Sequence, residues 1–191
     1  MVGQSLPVRA PLEAERAPAP GRAAIVANVL LFQAGWFACV LGAARGLALE
    51  GSLLALAIVA AQVARAPRPR TELALVAIAV LLGALFDSLL AASGWLRYDA
   101  GVLIERTAPY WIVALWALFA TTLNVSMRAL RARPWIAALF GLLGGPLAYY
   151  GGAQLGALQL VAPLPALAAL AAGWALATPL LFAIARRLER A

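Results

Sequence analysis

Six long apolar runs fill most of this chain, roughly 24–43, 47–64, 72–93, 108–127, 134–152 and 163–185. None shows the period-two alternation of a transmembrane strand. A helix that crosses a bilayer needs about 20 residues, with about 17–25 tolerated, and all six runs fit. The pattern predicts an all-α fold, a polytopic compact bundle of six transmembrane helices.

The interruptions support these boundaries. Pro67 and Pro69 break the second connection, while Pro134 and Pro163 stand where a first helical turn tolerates a missing amide. Pro109 can do the same for the fourth span. Residues 96–106 carry Arg97, Asp99, Glu105 and Arg106 and read as a polar loop. The stretch 152–162 is too short to cross and is expected to be re-entrant or interfacial. Residues 1–22 hold Pro7, Pro11, Pro18 and Pro20, have no usable period, and read as a disordered cytosolic tail. They do not resemble a signal peptide, because the segment before the first apolar run is too long and further spans follow. The expected organisation is a tail over 1–22, a membrane domain over 23–187 and a cytosolic end over 188–191.

Charge then fixes the orientation. Arg9, Arg16 and Arg22, Arg65, Arg68 and Arg70, Arg128, Arg131 and Arg133, and Arg186, Arg187 and Arg190 fall on one side of a six-span path. Only Arg45, Arg97 and Arg106 fall on the other. Loops rich in arginine stay in the cytosol, so both termini are expected there. On this path Trp95, Tyr110, Trp111, Tyr149 and Tyr150 collect near the outer interface and Trp135 near the inner one, as amphipathic rings favour.

Composition agrees. The chain is 64% apolar and 12% charged, against about half and a quarter for a soluble domain. Its formal charge of +7 is spread over separate short loops, with no basic stripe or recognition motif, which argues against nucleic acid. Membrane lipids are the expected partners. Histidine is absent and Cys39 is the single cysteine, so an intrachain disulfide and a thiolate metal cluster are excluded. No cofactor motif is present, and no metal or cofactor is expected. The glycine-rich stretch around Gly145 lacks the lysine, spacing and preceding strand of a phosphate-binding loop.

Asp87 is the sharpest candidate for function. It lies about seven residues, or about 10 Å, inside the outer end of the third span. A carboxylate at that depth is costly unless paired, protonated or hydrated. Arg97 or Arg106 folding down from the outer loop would pair it. It reads either as a proton-linked or headgroup-binding group or as a structural carboxylate. Asn28, Gln33, Thr121, Thr122 and Asn124 form a second polar set, with Asn28 and Asn124 as plausible neighbours. That set reads as interhelical glue or as a polar cavity reached from the cytosol. Gln33 lies nearer midplane. Trp36 and Trp116 share the depth of Asp87 and either line a pocket or fill the core. Tyr149 and Arg97 are further candidates to accompany Asp87. Ala38, Gly42 and Gly46, with Gly35 and Cys39, mark close helix contacts. Gly145 followed by Pro146 is expected to kink or unwind the fifth span, and Pro179 to bend the sixth.

The motifs Asn28-Val-Leu-Leu-Phe-Gln-Ala-Gly-Trp-Phe-Ala-Cys-Val-Leu-Gly42, Leu82-Gly-Ala-Leu-Phe-Asp-Ser-Leu89, Pro109-Tyr-Trp-Ile-Val-Ala-Leu-Trp-Ala-Leu-Phe-Ala-Thr-Thr-Leu-Asn124 and Gly144-Gly-Pro-Leu-Ala-Tyr149 resemble the DUF2878 family of uncharacterised bacterial inner-membrane proteins. The resemblance covers roughly residues 24–185. It departs at Val125, where several relatives are expected to carry a histidine or another polar residue, and this weakens a catalytic use of Asn124. It implies a multi-pass inner-membrane protein. An association of relatives with enzymes that modify unsaturated acyl chains implies a lipid-linked role, with a lipid-modifying enzyme or another membrane protein as partner.

Three functions remain open at this stage. The first is a non-enzymatic lipid-linked or accessory protein that binds an amphipathic ligand near Asp87. The second is a small transporter or flippase. The third is a membrane enzyme acting on lipid. Asp87 is expected to face a cavity in the bundle.

Overall fold

Proline at the first turn opens three of the helices, where its missing N–H has no helical partner to lose. In the computed structural model, which describes residues 20–190, these are α3 (Pro69–Ala92), α5 (Pro134–Gln154) and α6 (Pro163–Leu188). They join α1 (Arg22–Ala44), α2 (Ala48–Arg65) and the shorter α4 (Tyr110–Ala120). The tail expected over 1–22 lies outside the described residues as far as residue 19, as does Ala191.

The α1–α2 reversal depends on a left-handed residue. Gly46 takes φ +77°, and the Leu47 amide bonds back to the Gly42 carbonyl at 2.7 Å, closing the helix as a Schellman turn. The two helices then pack closely, because a Cβ on Gly42 would meet the Leu47 carbonyl and one on Gly51 the Ala38 carbonyl. Gly156, at φ +85°, ends α5 in the same way.

Five helices, of 18–26 residues, are long and apolar enough to cross a membrane. Of the most apolar 18-residue stretch in each, only 22–33% is buried inside the protein. Leu30, Leu53, Leu81, Leu143 and Leu176 face outward. An apolar surface of this extent matches hydrocarbon as its solvent.

The fourth run behaves differently. Helix was expected over 108–127, but α4 ends at Ala120, after 11 residues and about 16 Å. Turns and a short 3-10 helix at Arg128–Ala132 follow. The hydroxyls of Thr121 and Thr122 donate to the Leu118 and Phe119 carbonyls, both at 2.7 Å. Such local bonds compete with the helical ladder. The irregular backbone survives because it is wrapped by protein, with Thr121, Thr122 and Leu123 all buried. By contrast α5 and α6 run unbroken through Pro146 and Pro179, so the unwinding expected in the fifth span is not found there. It occurs in the fourth, without a proline.

α4 forms the centre. It packs against α1, α2 and α3, while α5 pairs with α6, which leans on α3. α1 and α5 are not packed on one another to any extent, and a gap remains between them. At one end, residues 158–160 form β2, antiparallel to β1 (Leu96–Tyr98), with Arg97 opposite Gln159. The stretch expected to be re-entrant or interfacial therefore contributes one strand of a two-stranded ribbon. At the other end two arginine-rich connections meet the C-terminal end of α6. Arg131 pairs with Glu189 at 2.9 Å, Arg68 donates to the Glu189 carbonyl at 3.2 Å, and Arg186 donates to the Arg131 carbonyl.

Candidate functional site

The gap between α1 and α5 is a cavity of about 590 Å3. One wall is Phe32, Gln33, Trp36 and Val40 of α1, and the other is Phe140, Gly144, Leu147 and Tyr149 of α5. α4 forms the back with Trp111, Leu115, Trp116 and Phe119, joined by Trp174 from α6. One end is closed by Thr122, Ser126 and Met127, in the irregular segment after α4. A volume of this size falls within the about 300–1,000 Å3 of small-molecule sites.

Glycine makes the back of the groove possible. Trp174 stacks on Trp116 with ring centroids 4.4 Å apart and planes 13° from parallel. The edge of Phe119 closes on both rings. Trp174 lies directly on Gly141 and Gly145, and Trp116 directly on Gly83, where any Cβ would overlap the ring or, at Gly141, the Trp174 carbonyl. Gly144 differs, because a Cβ there would meet only the Phe140 ring, at 3.7 Å.

Asp87 stands behind this wall. It is fully buried. Tyr149 and Tyr98 donate to its Oδ1 at 2.5 and 2.7 Å, and the Trp116 indole donates to its Oδ2 at 2.7 Å. Three donors satisfy most of the lone-pair sites of a carboxylate. Burial first, and then the Asp87 charge, push the Tyr98 phenol well above its usual pKa, so it stays protonated and donating. The three donors tie α3, α4, α5 and the two-stranded ribbon to one side chain. Asp87 is thus a positioning residue for Trp116 and Tyr149, which line the groove.

A second network lies at the end closed by Thr122 and Ser126. The Asn28 amide donates to Gln62 Oε1 at 2.6 Å and to the Thr121 carbonyl at 3.1 Å, while Ser126 donates to Asn28 Oδ1 at 2.5 Å. Gln62 completes the ring by donating to Thr121 Oγ1 at 3.0 Å. Asn124 instead donates to the buried Glu72 at 2.6 Å. Replacing Asn28 with leucine removes partners from Gln62, Ser126 and the Thr121 carbonyl. We expect a loss of about 1–2 kcal/mol, read by unfolding in mixed micelles, and an unchanged midpoint would contradict the network.

The DUF2878 family model, described as a protein of unknown function, matches residues 25–180. The chain belongs to this family. No curated protein and no solved structure matches it. The DUF2878 region takes in the groove and the Asp87 cluster, and with the five long apolar helices it makes this a multi-pass protein of the bacterial inner membrane.

Several expected neighbours are rearranged in this DUF2878 chain. Arg97 does not reach Asp87. It is 61% exposed and bonds to Asp99 at 3.0 Å and Gln159 at 2.8 Å. The reason is strand geometry: successive side chains face opposite ways, so with Tyr98 turned inward, Arg97 must turn out. Asp87 does not line the cavity, as was expected of it. Gln33, Trp36, Trp116, Tyr149 and Gly145 do line it. Asn28 and Thr121 meet directly and also through Gln62, whereas Asn124 belongs to a separate contact with Glu72. Trp111 and Tyr149, expected in an outer belt, are buried. Trp174, Tyr98, Gln62 and Glu72 were missed as participants. Gln62 and Glu72 had a signal, being polar side chains within or beside apolar runs, while Tyr98 adjoined the arginine taken as the partner.

Proposed function

We propose that this protein crosses the bilayer six times with both termini in the cytosol, and that it holds the apolar part of an amphipathic ligand in the groove between α1 and α5. It is a non-enzymatic, lipid-linked protein. Twelve arginines on one side against three on the other support the orientation. The contacts of Arg68 and Arg131 with Glu189, and of Arg186 with the Arg131 carbonyl, support it further, because two connections and the C-terminal end, all assigned to the cytosol, join there. The sixth crossing is completed by α4 and the protected irregular backbone that follows it.

The observation that carries the ligand reading is the groove itself. It is aromatic and apolar along its length, and its two long walls are not packed on each other. A largely apolar groove beside hydrocarbon is a natural place for a lipid chain, since the chain exchanges one apolar surround for another while gaining contacts with fixed rings.

The test is photolabelling in nanodiscs with a lipid that carries a photoreactive group on its acyl chain, followed by peptide mapping. Labelling is expected at Trp36, Leu115 and Leu147 above that at the lipid-facing Leu81. Gly144→Leu, which projects into the groove, is expected to cut groove labelling about tenfold, while the folded yield is retained because nothing but Phe140 is met. Groove labelling that equals that of Leu81, or that is unaffected by Gly144→Leu, would overturn the reading.

A further inference from the structure

We infer that the groove selects an uncharged lipid bearing a carbonyl or hydroxyl oxygen, which Gln33 recognises at the middle of the membrane. The inference rests on the groove holding a lipid chain, as proposed above. Among the described residues that line the groove, none is aspartate, glutamate, lysine or arginine. An anionic headgroup would find no cation there, and a cationic one no exposed carboxylate. Asp87 lies behind the wall with three donors already on its two oxygens. A charged group drawn into such a site loses its hydration without a replacement.

Most polar groups in the lining are already committed. The Tyr149 phenol and the Trp116 indole donate to Asp87. The Trp111 indole donates to the Ala100 carbonyl at 3.0 Å. The hydroxyls of Thr122 and Ser126 donate to the Phe119 carbonyl and to Asn28. Gln33, Trp36 and Trp174 are the exceptions. The Trp174 indole N–H is buried in the stacked pair without a partner. Gln33 is exposed, lines the groove, and makes no hydrogen bond to another described residue. It stands midway along α1, so on the proposed topology it sits far from either headgroup layer. Trp36, one helical turn further on, shares the lining and has no such bond either. Residues three apart lie on one face of a helix. Together they offer amide and indole N–H donors and one amide acceptor on an otherwise apolar surface. A hydroxyl or carbonyl oxygen on the ligand satisfies that set without adding charge.

The experiment compares three photoreactive probes that share one long alkyl chain and end in an alcohol, a carboxylate or a trimethylammonium group. They are presented to the full-length protein in nanodiscs of phosphatidylethanolamine and phosphatidylglycerol at mildly alkaline pH. Groove labelling is normalised to Leu81 and Leu85, which face outward on α3. The alcohol is expected to label the groove about fivefold more than either ion, the scale of one net hydrogen bond. Gln33→Leu is expected to abolish that preference while the alkyl chain still labels the groove. Equal labelling by all three probes in the wild type would overturn the selectivity and leave chain binding standing. A preference for either ion would also overturn it, and a preference that survives Gln33→Leu would remove Gln33 as the recognising group. No groove labelling by any probe would instead sink the chain-binding reading beneath it.

Discussion

Replacing Asp87 with alanine is expected to destabilise the protein by about 3–5 kcal/mol. Two phenols and an indole lose their shared acceptor at once, and each buried unpaired donor costs about 1–3 kcal/mol. The lost side chain leaves a void that three rigid rings cannot fill. Asp87→Asn is the informative companion. Its amide oxygen can still receive Tyr98 and Tyr149, but its NH2 then faces the Trp116 N–H, donor against donor. The loss is expected to be about 1–2 kcal/mol. Unfolding midpoints in mixed micelles are expected to rank wild type above asparagine above alanine. Groove labelling in Asp87→Asn is expected to weaken only as far as Trp116 shifts, because the carboxylate does not line the groove. If Asp87→Asn folds with wild-type stability yet loses all groove labelling, the carboxylate acts on the ligand itself and its role as a positioning group is wrong.

The sequence placed five of the helices to within three residues at each end, and much of their punctuation is chemical. Pro69, Pro134 and Pro163 each open a helix in place, and Gly46 and Gly156 each close one with a left-handed turn. It did not show where α4 stops. Hydropathy reports which residues avoid water, and Leu118 and Leu123 avoid it equally whether the backbone around them is helical or turned. The paired threonines were the available signal, since their hydroxyls rival the helical ladder. The Asp87 site was half legible. Depth alone marked the residue, but its donors lie 11, 29 and 62 positions away, and no local period links them. Charge drew attention to Arg97, whereas the pairing of two short strands turned its neighbour Tyr98 inward. Trp174 escaped notice because an isolated tryptophan in an apolar helix carries no mark of its partner. Of the glycines beneath it, Gly145 was read only as part of a kink with Pro146 and Gly141 was not singled out, yet both lie directly under Trp174.

That placement makes a matched pair of substitutions on α5 decisive. Gly141→Val puts a branched side chain where the α6 backbone already lies, against the Trp174 carbonyl and Thr178 Oγ1. A neighbouring backbone cannot rotate out of the way, so α5 and α6 must separate, and Trp174 would lift from Trp116. Overpacking in a filled core costs about 1–3 kcal/mol when side chains can adjust, and here the obstacle is main chain, so about 3 kcal/mol or more is expected. Gly144→Ala stands three residues along the same helix. Its methyl meets only one ring edge at van der Waals distance, while alanine favours the helix over glycine by about 1 kcal/mol. It is expected to leave stability unchanged or raise it slightly. Tryptophan fluorescence adds a second readout, since unstacking Trp174 from Trp116 alters emission in Gly141→Val and leaves it unchanged in Gly144→Ala. If both variants are equally tolerated, α5 does not seat Trp174 as described. The back of the groove would then lack the fixed ring pair on which its shape depends.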